Sequence, residues 1–352
     1  MMKKVLYLTN IEVPYRVRFF NKLTQYCDLT VLYEREKSSN RDDAWAKSEK
    51  NTFRAKYLHG VKISGENGFS LGILKEICSG YDAIVVGCYN SPVQMLAVLA
   101  MRLLRVPYIM NLDGEPFLGG SDIKAKVKRF VLSGAQKYLV AGEKAAISLK
   151  EIAGQKEVIP YYLSSLSERE ISEHRESEGS KREETILVVG QYFDYKGMDV
   201  ALKAAQMDTS LHYKFVGMGK RTELFLEDHP GQIPENVEVI PFLQKKELEA
   251  EYQNCAMLVL PSRQECWGLV INEAASFGTP IISTWGSGAA VEFLADNYPR
   301  YLAKPGDAES LLGCIRTLLA DEQVQEYSRY LLNKTGEYNL ERSAEIHAKN
   351  AF

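Results

Sequence analysis

The sequence predicts an α/β chain of two Rossmann-like domains, each a doubly wound parallel sheet. Three observations predict it: the length, a repeated exchange of short apolar runs with helical stretches, and one polar interruption near the middle. At roughly 150 residues per domain, 352 residues favour two domains. Runs rich in branched apolar residues recur at 5–8, 29–33, 83–87, 108–112 and 138–140. Between them lie stretches with helical spacing, such as Val17, Phe20 and Leu23, or Leu96, Leu99 and Leu103. Strands alternating with helices argue for a parallel sheet. Near-continuous apolar strands argue for a sheet covered on both faces.

The pattern stops from 164 to 184, where the chain is polar and highly charged. Such a composition buries little and reads as an exposed connector. The alternation then restarts at 186–189, 213–216, 237–240, 257–260 and 280–282. The expected division is a first domain over 1–165, a connector over 166–183, a second domain over 184–325, and a helical segment over 326–352 that packs back on the first domain. In open parallel sheets ligands bind beyond the carboxyl ends of the strands, so two such sheets are expected to face each other across a cleft.

Bulk properties exclude several classes. A net charge of -3 argues against a nucleic-acid partner, which calls for a basic surface. Cys27, Cys78, Cys88, Cys255, Cys266 and Cys314 form no Cys-x-x-Cys pair and no metal-ligand spacing with histidine. They read as reduced thiols of a cytoplasmic protein. The apolar run after Lys3 and Lys4 is short for a secretory core and suits a first strand. The stretch 95–110 is broken by Arg102 and Arg105, short of the run of about 18 apolar residues that a membrane span needs.

The most informative segment runs from Pro261 to Ala274, with Pro-Ser, then Glu265, Gly268-Leu269 and Glu273-Ala274. It follows the apolar strand 257–260, and helical spacing begins at Gly268. Glu265 is therefore expected in the loop at the strand's carboxyl end and Glu273 in the second turn of the helix. The N–H groups at Gly268 and Leu269 and the positive helix end suit a diphosphate, and glycine lets the backbone approach closely. Glu273 lies about 7.5 Å further along the axis, the reach from phosphate to ribose. Two surface glutamates flanking a buried helix are the plainer alternative. Residues 189–199 form a second strand, loop and helix start. Lys196-Gly197 there offers a point charge to a diphosphate. The loop at 216–220, with Gly217 and Gly219, ends a third strand.

These segments resemble the group 1, or family 4, retaining glycosyltransferases of the GT-B fold. The resemblance is specific over 185–295 and looser over the N-terminal half. It implies a nucleoside-diphosphate sugar as donor, transfer with retention, and no cofactor or metal. By that resemblance Lys196 binds the diphosphate, Glu265 contacts the transferred sugar, Gly268 and Leu269 cradle the phosphates, and Glu273 holds the ribose. Gly190, Gln191 and Gly219 belong to the same donor site, and the backbone around Phe242 lines the base pocket. Lys196 and Glu265 are the catalytic candidates. The family's usual arginine is Gln191 here, with Lys220 or Arg221 as possible replacements, and Cys266 stands where glycine is frequent.

The first domain is then the acceptor domain. Its opening Pro14-Tyr15-Arg16 resembles the subset that builds bacterial surface polysaccharides. Tyr15 is expected to stack on a sugar and Arg16 to meet an acceptor phosphate, with helix packing and a solvated arginine as the alternative. Asn90 and Asp113, at two further loops, are expected to face the acceptor. Many relatives carry a histidine where Asp113 stands. The basic, apolar stretch 123–132 is expected to meet an anionic membrane surface, or else to form a solvated helix. The rival readings are a nucleotide-sugar epimerase of similar shape and a non-catalytic partner subunit.

Overall fold

The computed structural model describes residues 2–35, 49–64, 67–116, 123–176 and 183–352. The chain divides into two compact units. Unit 1 is Met1–Leu163 with Leu340–Phe352, and unit 2 is Ser164–Asn339.

Unit 1 is built on a seven-stranded sheet. Its order is Arg54–Tyr57, Asp28–Arg35, Lys4–Ile11, Ala83–Val86, Ile109–Leu112, Lys137–Ala141 and Val158–Tyr161, and every neighbouring pair is parallel. Val5, Leu6, Tyr7 and Leu8 are wholly buried in a central strand, as a strand covered on both faces requires. Helix Pro14–Leu23 opens on proline and turns Val17, Phe20 and Leu23 inward. The Phe20 ring meets Tyr7 edge-on at 4.8 Å.

Helix Pro92–Leu104 departs from the expected facing. Val93, Ala97, Val98 and Met101 are its buried apolar residues, while Leu99 and Leu103 are 45% and 84% exposed. The helix carries two apolar stripes, and the one with Val93, Ala97, Val98 and Met101 joins the core with the strand residues Leu6, Leu8, Val86 and Met110.

Unit 2 carries a six-stranded parallel sheet, ordered Val237–Ile240, His212–Val216, Thr185–Val189, Met257–Val259, Ile281–Thr284 and Leu302–Ala303. Part of the stretch expected as an exposed connector is a helix of this unit, Glu168–Glu176. Its single buried apolar side chain is Ile171, too little for a compositional signal. His174 stacks on Phe277 with ring centroids 3.9 Å apart, and Arg175 donates to the Leu332 carbonyl. Residues 177–182 of that stretch lie outside the described residues.

Within 326–352 the two helices go to different units. Val324–Thr335 belongs to unit 2 and Leu340–Ala351 to unit 1. In unit 1, Lys22 pairs with Glu341 at 2.8 Å. His347 is buried between the rings of Phe19 and Tyr161, at 4.7 and 4.6 Å. Burial lowers its pKa to about 4. Its Nδ1 lies 2.7 Å from the Ser343 carbonyl; a carbonyl only accepts, so Nδ1 carries the proton. Among the described residues no helix is long and apolar enough to cross a membrane.

Candidate functional site

The candidate donor residues gather at the carboxyl edge of the unit 2 sheet. Strand Thr185–Val189 ends at Gly190, whose N–H reaches the Val216 carbonyl at 3.0 Å. The loop continues through Gln191 into a short 3-10 turn, Asp194–Lys196. Gly197 then takes a left-handed conformation, φ 70°. A Cβ at Gly197 would collide with the Pro261 carbonyl, so glycine is what lets this loop lie against the next one.

The two loops are joined by hydrogen bonds. The N–H groups of Arg263 and Gln264 reach the Tyr195 carbonyl at 2.8 and 3.1 Å. The Arg263 guanidinium grips Asp199 through both its terminal nitrogens, at 2.8 and 2.6 Å, and donates to the Asp194 carbonyl at 2.7 Å. Burial alone would raise the Asp199 carboxyl; the Arg263 bonds and charge outweigh it and hold the group below its usual value. The outcome is an ion pair between Lys196 Nζ and Glu265 Oε2, side chains that are 21% and 15% exposed.

Glu265 is fixed at its backbone as well. Its N–H reaches the Gly286 carbonyl at 2.8 Å, and its own carbonyl accepts from Gly288 at 3.1 Å. Gly268, at φ 99°, precedes helix Leu269–Ala275. A Cβ there would sit 2.9 Å from the Leu260 side chain. The Trp267 indole N–H donates to Asn272 at 2.9 Å across the first turn. The first N–H groups of a helix lack the partners that later ones have; that of Ile271 reaches back to the Gly268 carbonyl at 2.9 Å, and that of Leu269 is suited to an anion.

Glu273 stands in the helix and has partners of its own. Its Oε1 accepts from the Ser165 hydroxyl at 2.8 Å and its Oε2 from the Tyr252 hydroxyl at 3.1 Å. On the neighbouring loops, the Gly219 N–H reaches the Pro241 carbonyl at 2.7 Å, and Phe242 is half-buried just past strand Val237–Ile240. Lys220 is exposed. Arg221 lies 3.8 Å over the Phe193 ring and donates to the Tyr192 carbonyl at 3.2 Å, so its charge rests on the loop that carries Gln191.

The acceptor candidates of unit 1 form a second cluster. Arg16 and the Tyr15 hydroxyl both donate to Asp113 Oδ2, and the Tyr161 hydroxyl donates to Oδ1 at 3.1 Å. Arg16 is 9% exposed. Its guanidinium therefore faces a carboxylate of its own chain. Asn90 stands apart as an exposed residue after strand Ala83–Val86. Among the described residues no three His, Cys, Asp or Glu side chains are placed to hold a metal ion.

Spacing in the sequence marked none of Ser165, Asp199, Tyr252 or Arg263. Each acts through a partner far along the chain, and a lone serine, aspartate, tyrosine or arginine carries no local signature.

Comparison with known proteins bears on the family and the fold. Residues 170–335 match the family model of glycosyl transferases group 1. An uncharacterised glycosyltransferase of Methanocaldococcus jannaschii is 29% identical over 143 residues, 40% of this chain and 39% of that protein. The chain spans less than half the length of the curated relatives it matches. Among solved structures, Anabaena HepE in complex with UDP-glucose superposes with a TM-score of 0.72 at 15% identity, covering 99% of this chain and 98% of that one. WaaG, a glycosyltransferase involved in lipopolysaccharide biosynthesis, gives a TM-score of 0.66 at 15% identity, covering 99% of each chain. These likenesses show the two-domain GT-B fold.

Proposed function

We propose, from the match of residues 170–335 to the family model of glycosyl transferases group 1, that this chain is a retaining glycosyltransferase. It moves a sugar from a nucleoside-diphosphate sugar held in unit 2 to a glycan or lipid-linked glycan acceptor met by unit 1. The observation that carries the reading is the meeting of Lys196 with Glu265 at the sheet edge, beside a helix that bears Glu273. In this reading Lys196 and the N–H groups at Gly268 and Leu269 take the diphosphate. Glu273 takes the ribose and Glu265 the sugar. Gly190, Gln191 and Gly219 line the same edge, with the backbone at Phe242 beside the base.

The reaction breaks the bond from the anomeric carbon to the phosphate oxygen. It forms the bond to the acceptor oxygen on the same face. The acceptor's proton passes to the departing phosphate oxygen. Lys196 and the helix N–H groups stabilise the charge that develops there. Tyr15, Arg16, Asn90 and Asp113 serve the acceptor in this proposal, with Arg16 acting through Asp113. Likeness to a protein of lipopolysaccharide biosynthesis supports a surface-polysaccharide acceptor.

Calorimetric titration with uridine, guanosine, thymidine and adenosine diphosphates tests the donor site. At least one is expected to bind. Lys196→Ala should weaken it about ten- to a hundredfold, the worth of one charge-assisted contact at roughly 1.5–3 kcal/mol. Binding of none by the unaltered chain would sink the reading.

The reading also places the protein in the cytoplasm at the inner face of the plasma membrane. Helix Ile123–Leu132 exposes Lys126 and Arg129 together with Val127 and Phe130. It packs against Pro92–Leu104, which exposes Leu99 and Leu103. Cations around apolar side chains suit an anionic bilayer. Co-sedimentation with phosphatidylglycerol vesicles should exceed that with phosphatidylcholine and fall as salt rises. Equal sedimentation with both, or with neither, would remove the membrane contact.

A further inference from the structure

We propose that Tyr252 and Ser165 are positioning residues that set Glu273 to receive a ribose diol, and so make the donor site selective for ribonucleotides. The proposal rests on the donor reading above and adds two residues to it.

The chemistry starts from the carboxylate. Each of its oxygens offers two acceptor positions. The Tyr252 hydroxyl fills one position on Oε2 and the Ser165 hydroxyl one on Oε1. A single donor leaves a carboxylate able to swing about its last torsion, which is a soft one. Two donors, one on each oxygen, fix the plane of the group. The remaining position on each oxygen then points the same way in every copy of the molecule. Two acceptors side by side are what a vicinal diol needs from one partner.

The two donors come from different parts of unit 2. Tyr252 lies on helix Lys245–Asn254 and is 1% exposed. Its carbonyl accepts from the Thr279 hydroxyl and the Cys255 thiol, so the residue is tied at both ends. Burial raises the Tyr252 pKa well above its usual value, and the adjacent Glu273 charge raises it further. The hydroxyl therefore keeps its proton and acts as a donor. Ser165 is half-buried and sits just past the first unit's last strand, Val158–Tyr161.

The helix is held from the other side too. The Ser276 hydroxyl donates to the Glu273 carbonyl at 2.6 Å. A serine hydroxyl has one proton, so the 2.7 Å contact between His174 Nδ1 and Ser276 Oγ has the histidine as donor. Burial lowers the His174 pKa, in keeping with a neutral ring protonated at Nδ1. The backbone of Glu273 is thus anchored through Ser276, and its carboxylate through Tyr252 and Ser165.

The geometry makes a claim about ligand chemistry. A carboxylate oriented this way rewards a 2′,3′-diol and gives nothing to a sugar without one. The test crosses protein and ligand changes. Take whichever of uridine, guanosine and adenosine diphosphate binds the unaltered chain most tightly, together with its 2′,3′-dideoxy counterpart. Measure both affinities for the unaltered chain, Tyr252→Phe, Ser165→Ala and Ser165→Thr. The unaltered chain should prefer the ribonucleotide at least tenfold. Tyr252→Phe and Ser165→Ala should each lower ribonucleotide affinity about three- to tenfold and leave the dideoxy ligand unchanged. Ser165→Thr should restore the preference.

A merely structural role would lower both affinities together, and that result overturns the proposal. So does an unchanged ribose preference in both variants while binding persists. Should Tyr252→Phe fail to fold, the two Ser165 variants decide. No binding of any diphosphate by the unaltered chain would remove the donor reading itself, and this proposal with it.

Discussion

Asp113→Ala is expected to destabilise unit 1 by about 3–5 kcal/mol, the usual cost of stranding a buried charge. Arg16 is 9% exposed, and Asp113 is the carboxylate that meets its guanidinium. The same carboxylate accepts from the hydroxyls of Tyr15 and Tyr161. Truncation therefore removes one acceptor from three donors at once. Asp113→Asn should cost less, because an amide oxygen still accepts while the charge is lost. The pair also makes a prediction about coupling. Arg16→Ala with Asp113→Ala should be markedly less destabilised than the sum of the two single changes, since neither charge is then left alone. Urea unfolding followed by fluorescence reads this, with the transitions of the two units resolved, since two-state behaviour is not assured for a chain of two domains. A single Asp113→Ala variant within about 0.5 kcal/mol of the parent would mean that water, not the fold, solvates Arg16. Asp113 would then owe its place to the acceptor alone.

This pair illustrates what a linear reading reaches and what it does not. Strand residues such as Val5–Leu8 were legible because a strand buried on both faces must be apolar throughout. Arg54–Tyr57 and Val158–Tyr161 were not, because they lie at the two edges of the sheet. The first carries Arg54 and Lys56 and the second Pro160, and edge strands tolerate charge and proline. Helix Glu168–Glu176 was hidden because one isoleucine and a stacked histidine dock it. The motif from Pro261 to Ala274 was legible because its strand, loop and helix are contiguous in the chain. The polar partners in the two clusters are not contiguous: Lys196 meets Glu265 across 69 positions and Arg16 meets Asp113 across 97. Periodicity reports which face is apolar. It carries no information about which distant polar groups will be paired.

Glu265→Ala is expected to lower turnover at least about a hundredfold, the usual loss when a well-placed polar group at a reacting centre is removed. Its effect on binding should run the other way. In the ligand-free chain the Lys196 ammonium rests on the Glu265 carboxylate, so an incoming diphosphate has to compete with Glu265 for that charge. Without the carboxylate the ammonium is already available. Diphosphate affinity should therefore hold or rise, while Glu273→Ala weakens it, because the ribose is present in the bare diphosphate and the transferred sugar is not. An interaction made chiefly in the transition state shows in the rate rather than in ground-state binding. The fold should tolerate the change. With Lys196 21% exposed, water still reaches the ammonium, and the pair contributes about 1 kcal/mol or less to stability. Three measurements on each variant settle the roles: diphosphate affinity, turnover with a cognate donor, and melting temperature. Loss of diphosphate binding in Glu265→Ala with turnover retained in Glu273→Ala would exchange the two assignments. A collapse of the melting temperature in both would make the glutamates structural.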